Sequence, residues 1–417
     1  MENRFFLLTL FIGTLMFAHA QSPTASEERA QPDPIQSYLQ PLVNNRTIAG
    51  AVTLVAAGNH TVYLKAVGFR DLTSGTPMTT DAMFWIASTS KPMTATALMM
   101  LVDEGKVNLN DPVEKYLPEF KGQMVKVAQA VPAHEAKEAP GPQKAPQFVR
   151  PDHPILVREI LSHTSGLPFR SSAQPGALDL LPLKDAVLSF AAEPLTFQPG
   201  TDYQYSNEGL DTAARIIEVV SGIPFEQFVQ ERLFHPLGMN DTTFWPSADQ
   251  IHRLAKTYKL DPQTKNLAEV PISQLTYPLD DRQRRYPMPA GGLFSTAADV
   301  LKFCQMILNG GTFGGKRYIS PEAVHEMTSK QNGGLGGTNY GFGWSISNGG
   351  FGHGGAFKNA MDIDPASGRI FIFMVQQDGP WGTAEGDAII PTLERLANEM
   401  VTSRTLAPAT RRTAELH

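Results

Sequence analysis

Ser88 and Lys91 form the only Ser-x-x-Lys pattern in the chain, at the start of a stretch with helical periodicity. Residues three positions apart lie on the same face of a helix, so the Lys91 amine is expected beside the Ser88 hydroxyl. A lysine can take the proton of a serine hydroxyl when burial or nearby cations lower the pKa of its amine. The positive end of the helix dipole also favours an oxyanion beside Ser88. The pattern therefore predicts a nucleophilic serine activated by a lysine.

Two further patterns occur once each in the chain. Tyr205 and Asn207 form a Tyr-x-Asn pattern between an aromatic-rich loop and a helical stretch. His353 and Gly355 form a His-x-Gly pattern among strand-like runs and glycines, where the backbone can approach a ligand closely. We interpret the three patterns together as parts of one catalytic site.

In this order and on these elements, the three patterns resemble the serine β-lactamase and penicillin-binding-protein superfamily. The resemblance covers about residues 35–401 and is strongest to the branch with class C β-lactamases, D-stereospecific peptidases and family VIII carboxylesterases. It implies that Ser88 is the acylated nucleophile and that Lys91 accepts its proton. Tyr205 matches a tyrosine that shares or takes over the role of base, which requires Lys91 to lower the pKa of the phenol from about 10. The sequence leaves open which of the two is the base.

The same resemblance implies a set of substrate-binding residues. Asn207 is expected to hydrogen-bond Lys91 and the substrate carbonyl region, although asparagine is also a common N-cap residue of helices. The backbone N–H groups of Ser88 and Ala356 are expected to form the oxyanion hole. The residues that the resemblance places at the substrate are Asn207, His353, Gly354, Gly355 and Ala356.

The third pattern departs from that of the class C β-lactamases, which have Lys-Thr-Gly there. The chain contains no Lys-Thr-Gly, and His353 is mostly neutral near pH 7 unless its surroundings raise its pKa. The site then lacks a fixed positive charge for a substrate carboxylate, which argues against efficient penicillin hydrolysis. His-x-Gly resembles some D-peptidases and D-aminopeptidases, whereas family VIII esterases more often have tryptophan. His353 is expected either to contact substrate or exchange protons directly, or simply to line the cleft.

These observations predict a serine hydrolase that cleaves small-molecule esters, amides or D-peptides through an acyl-enzyme, with no metal and no organic cofactor. Carboxylesterase activity is the first expectation. D-alanyl-D-alanine carboxypeptidase or D-aminopeptidase activity is the second, and class C-like β-lactamase activity is the third. Outside enzymes, an inactive relative that binds peptidoglycan or a protein remains open, although such a protein would not need the full set of Ser88, Lys91, Tyr205 and Asn207.

The N-terminal segment predicts export from a bacterial cell to the periplasm or medium. Arg4 precedes an apolar run, and Ala18 and Ala20 form a small-x-small cleavage site that ends a signal peptide at residues 1–20. The run is short for a transmembrane anchor, so no stable membrane anchor is expected after cleavage. The chain has 417 residues and a formal net charge of −6, which gives no support for nucleic acid as a partner.

The order of periodic segments predicts an α/β (α+β) fold, in which one antiparallel sheet formed by both chain ends is flanked by helices and carries an inserted helical part. Residues 35–401 form this domain, with sheet-containing parts at 35–87 and 290–401 and a mainly helical part at 88–289. A lead-in at 21–34 and a tail at 402–417 are expected to be disordered. The predicted strands are 49–56, 61–68, 340–347, 360–364 and 369–376; the main predicted helices are 35–43, 88–105, 156–161, 183–192, 207–220, 225–233, 297–308 and 388–401.

Three other features receive more ordinary interpretations. The proline-punctuated stretch 121–154 predicts an exposed surface excursion, with a lid over the site as the alternative. Cys304 is the only cysteine and lies in an apolar helical pattern, which indicates a buried core thiol. His163 precedes Thr164 and Ser165 in a distinctive string that we interpret as a structural loop, because adjacent residues rarely present a catalytic Ser–His pair.

Overall fold

The computed structural model describes residues 33–127, 146–174, 176–347 and 349–406. The predicted signal peptide, nearly all of the lead-in, the middle of the 121–154 excursion and the end of the tail lie outside the described residues. No helix within these described ranges is both long enough and apolar enough to cross a membrane.

A seven-stranded sheet joins the two ends of the described chain. The strands are β1 Gly50–Ala57, β2 His60–Asp71, β3 Thr76–Pro77, β4 Ser345–Ser347, β5 Gly350–Gly354, β6 Ala360–Asp364 and β7 Arg369–Met374. Their order in the sheet is β4-β5-β6-β7-β1-β2-β3, and all neighbouring strands are antiparallel. At the centre of the sheet β1 from the N-terminal part pairs with β7 from the C-terminal part, with Val52 opposite Met374. The predicted antiparallel sheet from both chain ends is therefore confirmed.

The central strands β1 and β7 are mostly apolar, as expected for strands whose two faces are both covered by helices. In β7, Ile370 and Ile372 pack into the large core that also contains the helix Ala297–Leu308. Phe371 and Phe373 point the other way and pack with the first and last helices of the described chain. This alternation with a period of two residues fixes the register of the sheet, since a slip of one residue would exchange the two faces.

Helices pack on both faces of the sheet and fill the segment between the two groups of strands. The α-helices are Pro34–Asn44, Lys91–Asp103, Val157–Leu161, Leu183–Ala191, Asn207–Ser221, Phe225–Val229, His235–Leu237, Ala248–His252, Ala297–Leu308, Pro321–Met327, Ala384–Asp387 and Ile389–Leu406, and Gln230–Phe234 is π-helical. Short 3₁₀ turns occur at Ala87–Ser90, Val113–Lys115, Pro118–Phe120 and Leu335–Gly337.

The remaining strands form small pairs outside the main sheet. Phe84–Trp85 pairs with Phe294–Ser295 immediately before the predicted nucleophile. Val125–Val127 pairs antiparallel with Gln147–Val149, so the excursion has a short strand near each end that its composition did not predict. The other pairings are Thr312–Phe313 with Lys316–Arg317, and Tyr258–Leu260 with both Leu267–Glu269 and Gln377–Asp378.

Several predicted boundaries differ from those observed. The strand predicted at 340–347 is regular only over Ser345–Ser347, and the glycine-rich β5 was not predicted as a strand. The closing helix continues to Leu406, so the prediction of a tail without structure is wrong for residues 402–406. The predicted division of the domain into parts at residues 35–87, 88–289 and 290–401 stays a prediction. Cys304 is fully buried, as predicted, and burial raises the pKa of its thiol.

Candidate active site

The Ser88 turn is held between a short strand and a helix. The strand Phe84–Trp85 leads into the 3₁₀ turn Ala87–Ser90, which continues directly into the helix Lys91–Asp103. Ala87 has a φ of +45°, an unfavourable conformation for a residue with a Cβ that is typical of functional sites. Ser90 Oγ donates a hydrogen bond to Ala87 O at 2.6 Å and so closes the turn. Ser88 is left half-buried, with access to the adjacent cleft.

The Lys91 amine lies beside the Ser88 hydroxyl, as its spacing predicts. Lys91 Nζ donates hydrogen bonds to Ser88 Oγ at 3.1 Å, Asn207 Oδ1 at 2.7 Å and Ala290 O at 2.9 Å. The side chain is completely buried. Burial lowers the pKa of Lys91 to about 7, and the nearby Asp211 carboxylate acts in the opposite direction. A substantial fraction of the amine is therefore neutral near pH 7 and able to accept a proton.

Tyr205 and Asn207 enter the site from the start of the helix Asn207–Ser221. Ser206 is the N-cap of this helix, because its Oγ accepts a hydrogen bond from Gly209 N at 3.2 Å. The Asn207 amide therefore does not cap the helix, and its Oδ1 is bound to Lys91. The Tyr205 ring centroid lies 4.7 Å from Lys91 Nζ. Burial raises the pKa of Tyr205 well above its ordinary value, against the opposing effect of a hydrogen bond with Ser88.

His163 supports Tyr205 and Asn207 from behind. Its Nδ1 accepts a hydrogen bond at 3.1 Å from the backbone N–H of Ser206, the residue between Tyr205 and Asn207. The His163 ring centroid also lies 4.5 Å from those of Tyr205 and Tyr340. Burial lowers the pKa of His163 well below its ordinary value, so the ring is neutral. The sequence string around His163 thus builds the wall that orients the tyrosine and the asparagine.

His353 lies on β5 at the edge of the cleft, with both ring nitrogens bound inside the protein. Nδ1 lies 2.8 Å from Gly354 O and must donate to it, since a carbonyl oxygen can only accept. Nε2 is therefore the acceptor for the Tyr340 hydroxyl, which lies 2.9 Å away. Burial lowers the pKa of His353 to about 3, so the ring is neutral. The geometry supports a role for His353 in forming the cleft wall, and it does not support the expected exchange of protons with substrate.

A cleft of about 430 Å³ opens above Ser88. Among the described residues, none of the side chains that line it carries a fixed charge. Gly355 closes one end, where an added Cβ would lie 2.6 Å from Ile86 O. Within the described ranges the Ala356 N–H has no backbone acceptor, which leaves it available to an oxyanion. The lining residues are Trp85, Ala87, Ser88, Phe169, Tyr205, Asn207, Gln274, Met288, Gly291, Ser345, His353, Gly354, Gly355 and Ala356.

The structure thus brings the eight predicted site residues together and adds others that the sequence analysis missed. Asp211 lies four residues after Asn207 on the same face of the helix, a spacing that could have identified it. Ala290 joins the site through its backbone, which has no signature in the sequence. Phe169, Gln274 and Met288 line the cleft from loops distant in the chain. In the described part of the chain, no cluster of three or more His, Cys, Asp or Glu side chains could hold a metal ion.

The chain matches a known family over most of its length. The family model described as Beta-lactamase matches residues 35–392. The chain belongs to the beta-lactamase family. Family membership, with relatives named as an esterase and a carboxypeptidase, makes it a serine hydrolase. Small-molecule ester or amide substrates fit this family.

Relatives in this family have different activities. Esterase EstB of Burkholderia gladioli is 27% identical over 353 residues, which cover 78% of each chain. The D-alanyl-D-alanine-carboxypeptidase/endopeptidase AmpH of Escherichia coli K12 is 27% identical over 311 residues, covering 73% of this chain and 69% of AmpH. Among solved structures, EstCE1, described as a hydrolase with promiscuous acyltransferase activity, superposes with a TM-score of 0.71 at 23% identity. That match covers 87% of this chain and 97% of EstCE1 and supports the fold.

Proposed function

We propose that this protein is an exported carboxylesterase-type hydrolase that cleaves uncharged esters, and related amides, through an acyl-enzyme on Ser88. The observation that carries the proposal is the cleft above Ser88, whose described lining has no fixed charge and includes Trp85, Phe169 and Met288. Such a lining favours apolar acyl groups. It offers no cation to a substrate carboxylate.

In the first step, neutral Lys91 takes the proton of Ser88 Oγ while Oγ forms a bond to the substrate carbonyl carbon. Two observations favour Lys91 over Tyr205 as the base. Nζ lies 3.1 Å from Oγ, and the pKa of Lys91 is lowered to about 7 whereas that of Tyr205 is raised. The negative charge on the carbonyl oxygen is stabilised by the backbone N–H groups of Ser88 and Ala356.

In the second step, the bond between the carbonyl carbon and the leaving oxygen breaks, and the leaving group needs a proton. Tyr205 is a neutral phenol next to both Ser88 and Lys91, and we assign it the transfer of the proton from Lys91 to the leaving oxygen. Asn207 holds the Lys91 amine in line with Ser88. Water then attacks the acyl carbon while Lys91 accepts its proton. The bond between that carbon and Ser88 Oγ breaks, Lys91 returns the proton to Oγ, and the acid product leaves.

A second candidate is the cleavage of D-alanyl peptides, because AmpH is as similar to this chain as EstB is. Such peptides end in a carboxylate, and the cleft would have to bind that group with backbone N–H groups and neutral side chains alone. β-Lactam hydrolysis meets the same difficulty. Both activities are therefore expected to be slow relative to ester hydrolysis.

Export is proposed from the N-terminal sequence alone, where Arg4 precedes an apolar run and Ala18 and Ala20 flank a cleavage site. The test is to express the full chain in a Gram-negative host and to determine the N-terminal residue of protein from the periplasmic fraction. A mature chain that starts at Gln21 supports the proposal. Full-length protein confined to the cytoplasm would refute it.

The hydrolytic proposal is tested by side-by-side rates on p-nitrophenyl butyrate, nitrocefin and a D-alanyl-D-alanine peptide, with Ser88→Ala as the control. A pair of esters that differ only in a distal carboxylate or methyl ester isolates the effect of substrate charge. Fast Ser88-dependent turnover of the neutral esters is expected. Faster turnover of nitrocefin, the D-peptide or the carboxylate ester would contradict the proposal.

A further inference from the structure

Asp211 is a buried carboxylate that lies next to the proposed catalytic lysine without touching it directly. It is 4% exposed and lies one helical turn after Asn207. Asp211 Oδ1 accepts a hydrogen bond from Ala290 N at 2.9 Å, and Ala290 O accepts one from Lys91 Nζ at 2.9 Å. One residue's backbone therefore connects the carboxylate to the amine.

The other titratable groups around this pair are neutral near pH 7. His163, His353 and Tyr205 face Lys91, and burial keeps all three uncharged.

Glu208 and Tyr286 face Asp211. Burial raises the pKa of Glu208 to about 9 and that of Tyr286 well above its ordinary value. Of the described groups that face this pair, only Lys91 and Asp211 can therefore carry charge near neutral pH. Burial raises the pKa of Asp211 to about 7, and the charge of each group opposes the effect of burial on the pKa of the other.

We propose that Asp211 is a positioning residue that stabilises the protonated form of Lys91 during acylation and holds Ala290 against the lysine. This inference rests on the proposed function. When Ser88 Oγ loses its proton to Lys91 Nζ, a positive charge appears in a buried site, where an ion without a counter-charge is costly. The Asp211 carboxylate offsets that cost, and no bond to Asp211 forms or breaks.

The kinetic test compares Asp211→Asn with the wild type. Asparagine can still accept the hydrogen bond from Ala290 N but has no charge. Asp299→Asn is the matched control, because Asp299 is also buried and does not line the cleft. Its Oδ2 accepts a hydrogen bond from Asp241 N at a distance of 2.7 Å. For Asp211→Asn we expect the plateau of kcat/KM to fall at least about tenfold and its acid limb to move to lower pH. Asp299→Asn is expected to leave the limb in place.

A second measurement does not depend on activity. The free energies of unfolding of Lys91→Met, Asp211→Asn and the double variant form a double-mutant cycle with the wild type. Asp211→Asn is expected to cost clearly more stability beside Lys91 than beside the methionine.

An unshifted acid limb together with additive unfolding energies would overturn the inference. If wild-type turnover proves independent of Ser88, the proposed function fails. The cycle then decides the role of Asp211 alone, with coupling supporting it and additivity overturning it.

Discussion

The Tyr340 hydroxyl lies 2.9 Å from Nε2 of His353, and this contact determines what the third sequence pattern contributes to the site. With Nδ1 bound to Gly354 O, the imidazole is held as a neutral ring with both nitrogens occupied. The class C β-lactamases that the chain resembles have a lysine where this chain has His353. In this chain, by contrast, that wall of the cleft is uncharged. From this relationship we expect the site to discriminate between substrates by their charge.

Removing the Tyr340 hydroxyl is predicted to destabilise the protein. Tyr340→Phe leaves the buried Nε2 acceptor of His353 without its donor, which costs about 1–3 kcal/mol in the free energy of unfolding. Urea denaturation measures the loss. Tyr318→Phe is the control, because Tyr318 donates to Pro236 O from a partly exposed position outside the cleft and should lose less. Equal stabilities of the two variants would contradict the assigned hydrogen bond.

The rate is predicted to fall with decreasing pH as Lys91 becomes protonated. Since burial lowers the pKa of Lys91 to about 7, kcat/KM for a neutral ester should be near its plateau above that pH and fall about tenfold per pH unit well below it. Lys91→Met should lower the plateau roughly 10²- to 10⁴-fold. Stopped-flow rates on p-nitrophenyl butyrate between pH 5 and about 9 test both statements.

Lys302→Met is the control for the loss of a lysine, because Lys302 pairs with Asp299 away from the cleft. It should retain the wild-type profile. A flat profile for the wild type, or turnover by Lys91→Met within a few-fold of it, would remove Lys91 from the role of base.

Gly355 is predicted to be intolerant of a side chain. A Cβ there would lie 2.6 Å from Ile86 O, so Gly355→Ala must push the backbone that follows β5 away from the Ser88 turn, at a cost of about 1–3 kcal/mol. Gly354→Ala is a neighbouring control, since its Cβ would meet only Asn359 O at 3.6 Å. Thermal unfolding should show a drop of several degrees for Gly355→Ala and little change for Gly354→Ala. Equal melting temperatures would argue against close packing at this point.

Ser206 is predicted to affect both stability and turnover. Ser206→Ala removes the N-cap of the helix Asn207–Ser221, which costs about 1 kcal/mol, and loosens the segment between Tyr205 and Asn207. Thr296→Ala removes the equivalent cap from the helix Ala297–Leu308, away from the cleft. Ser206→Ala should lose more stability than Thr296→Ala, because Ser206 Oγ also donates a hydrogen bond to Pro168 O at 2.6 Å, and only Ser206→Ala should lower kcat. A similar effect of both on kcat would contradict the positioning role of this cap.

Local spacing predicted the parts of the site that depend on neighbouring residues. Ser88 and Lys91 are three apart at a helix start, and Tyr205 and Asn207 flank a helix cap, so the backbone alone brings each pair together. The apolar run of β7 likewise predicted a strand. These features could be predicted from the sequence because each depends on the spacing of residues within a single helix or strand.

Features that depend on distant segments could not be predicted. Ala290 contributes only backbone atoms to Lys91, and an alanine gives no sign of that role. β5 was missed because glycines lack the side chains that identify strands, and its pairing with β6 defines it. The neutral state of His353 depends on its burial and on the nearby Lys91 amine, both of which come from distant segments, so the sequence could give only the ordinary pKa of histidine.

The central claim is that Ser88 forms a covalent acyl-enzyme, and the most direct test is mass spectrometry of protein quenched in acid during turnover of p-nitrophenyl butyrate. The account predicts a butyryl group on the peptide that contains Ser88, present in the wild type and absent from Ser88→Ala. Intact turnover with no adduct on Ser88 in the wild type, or an adduct of equal yield in Ser88→Ala, would contradict it.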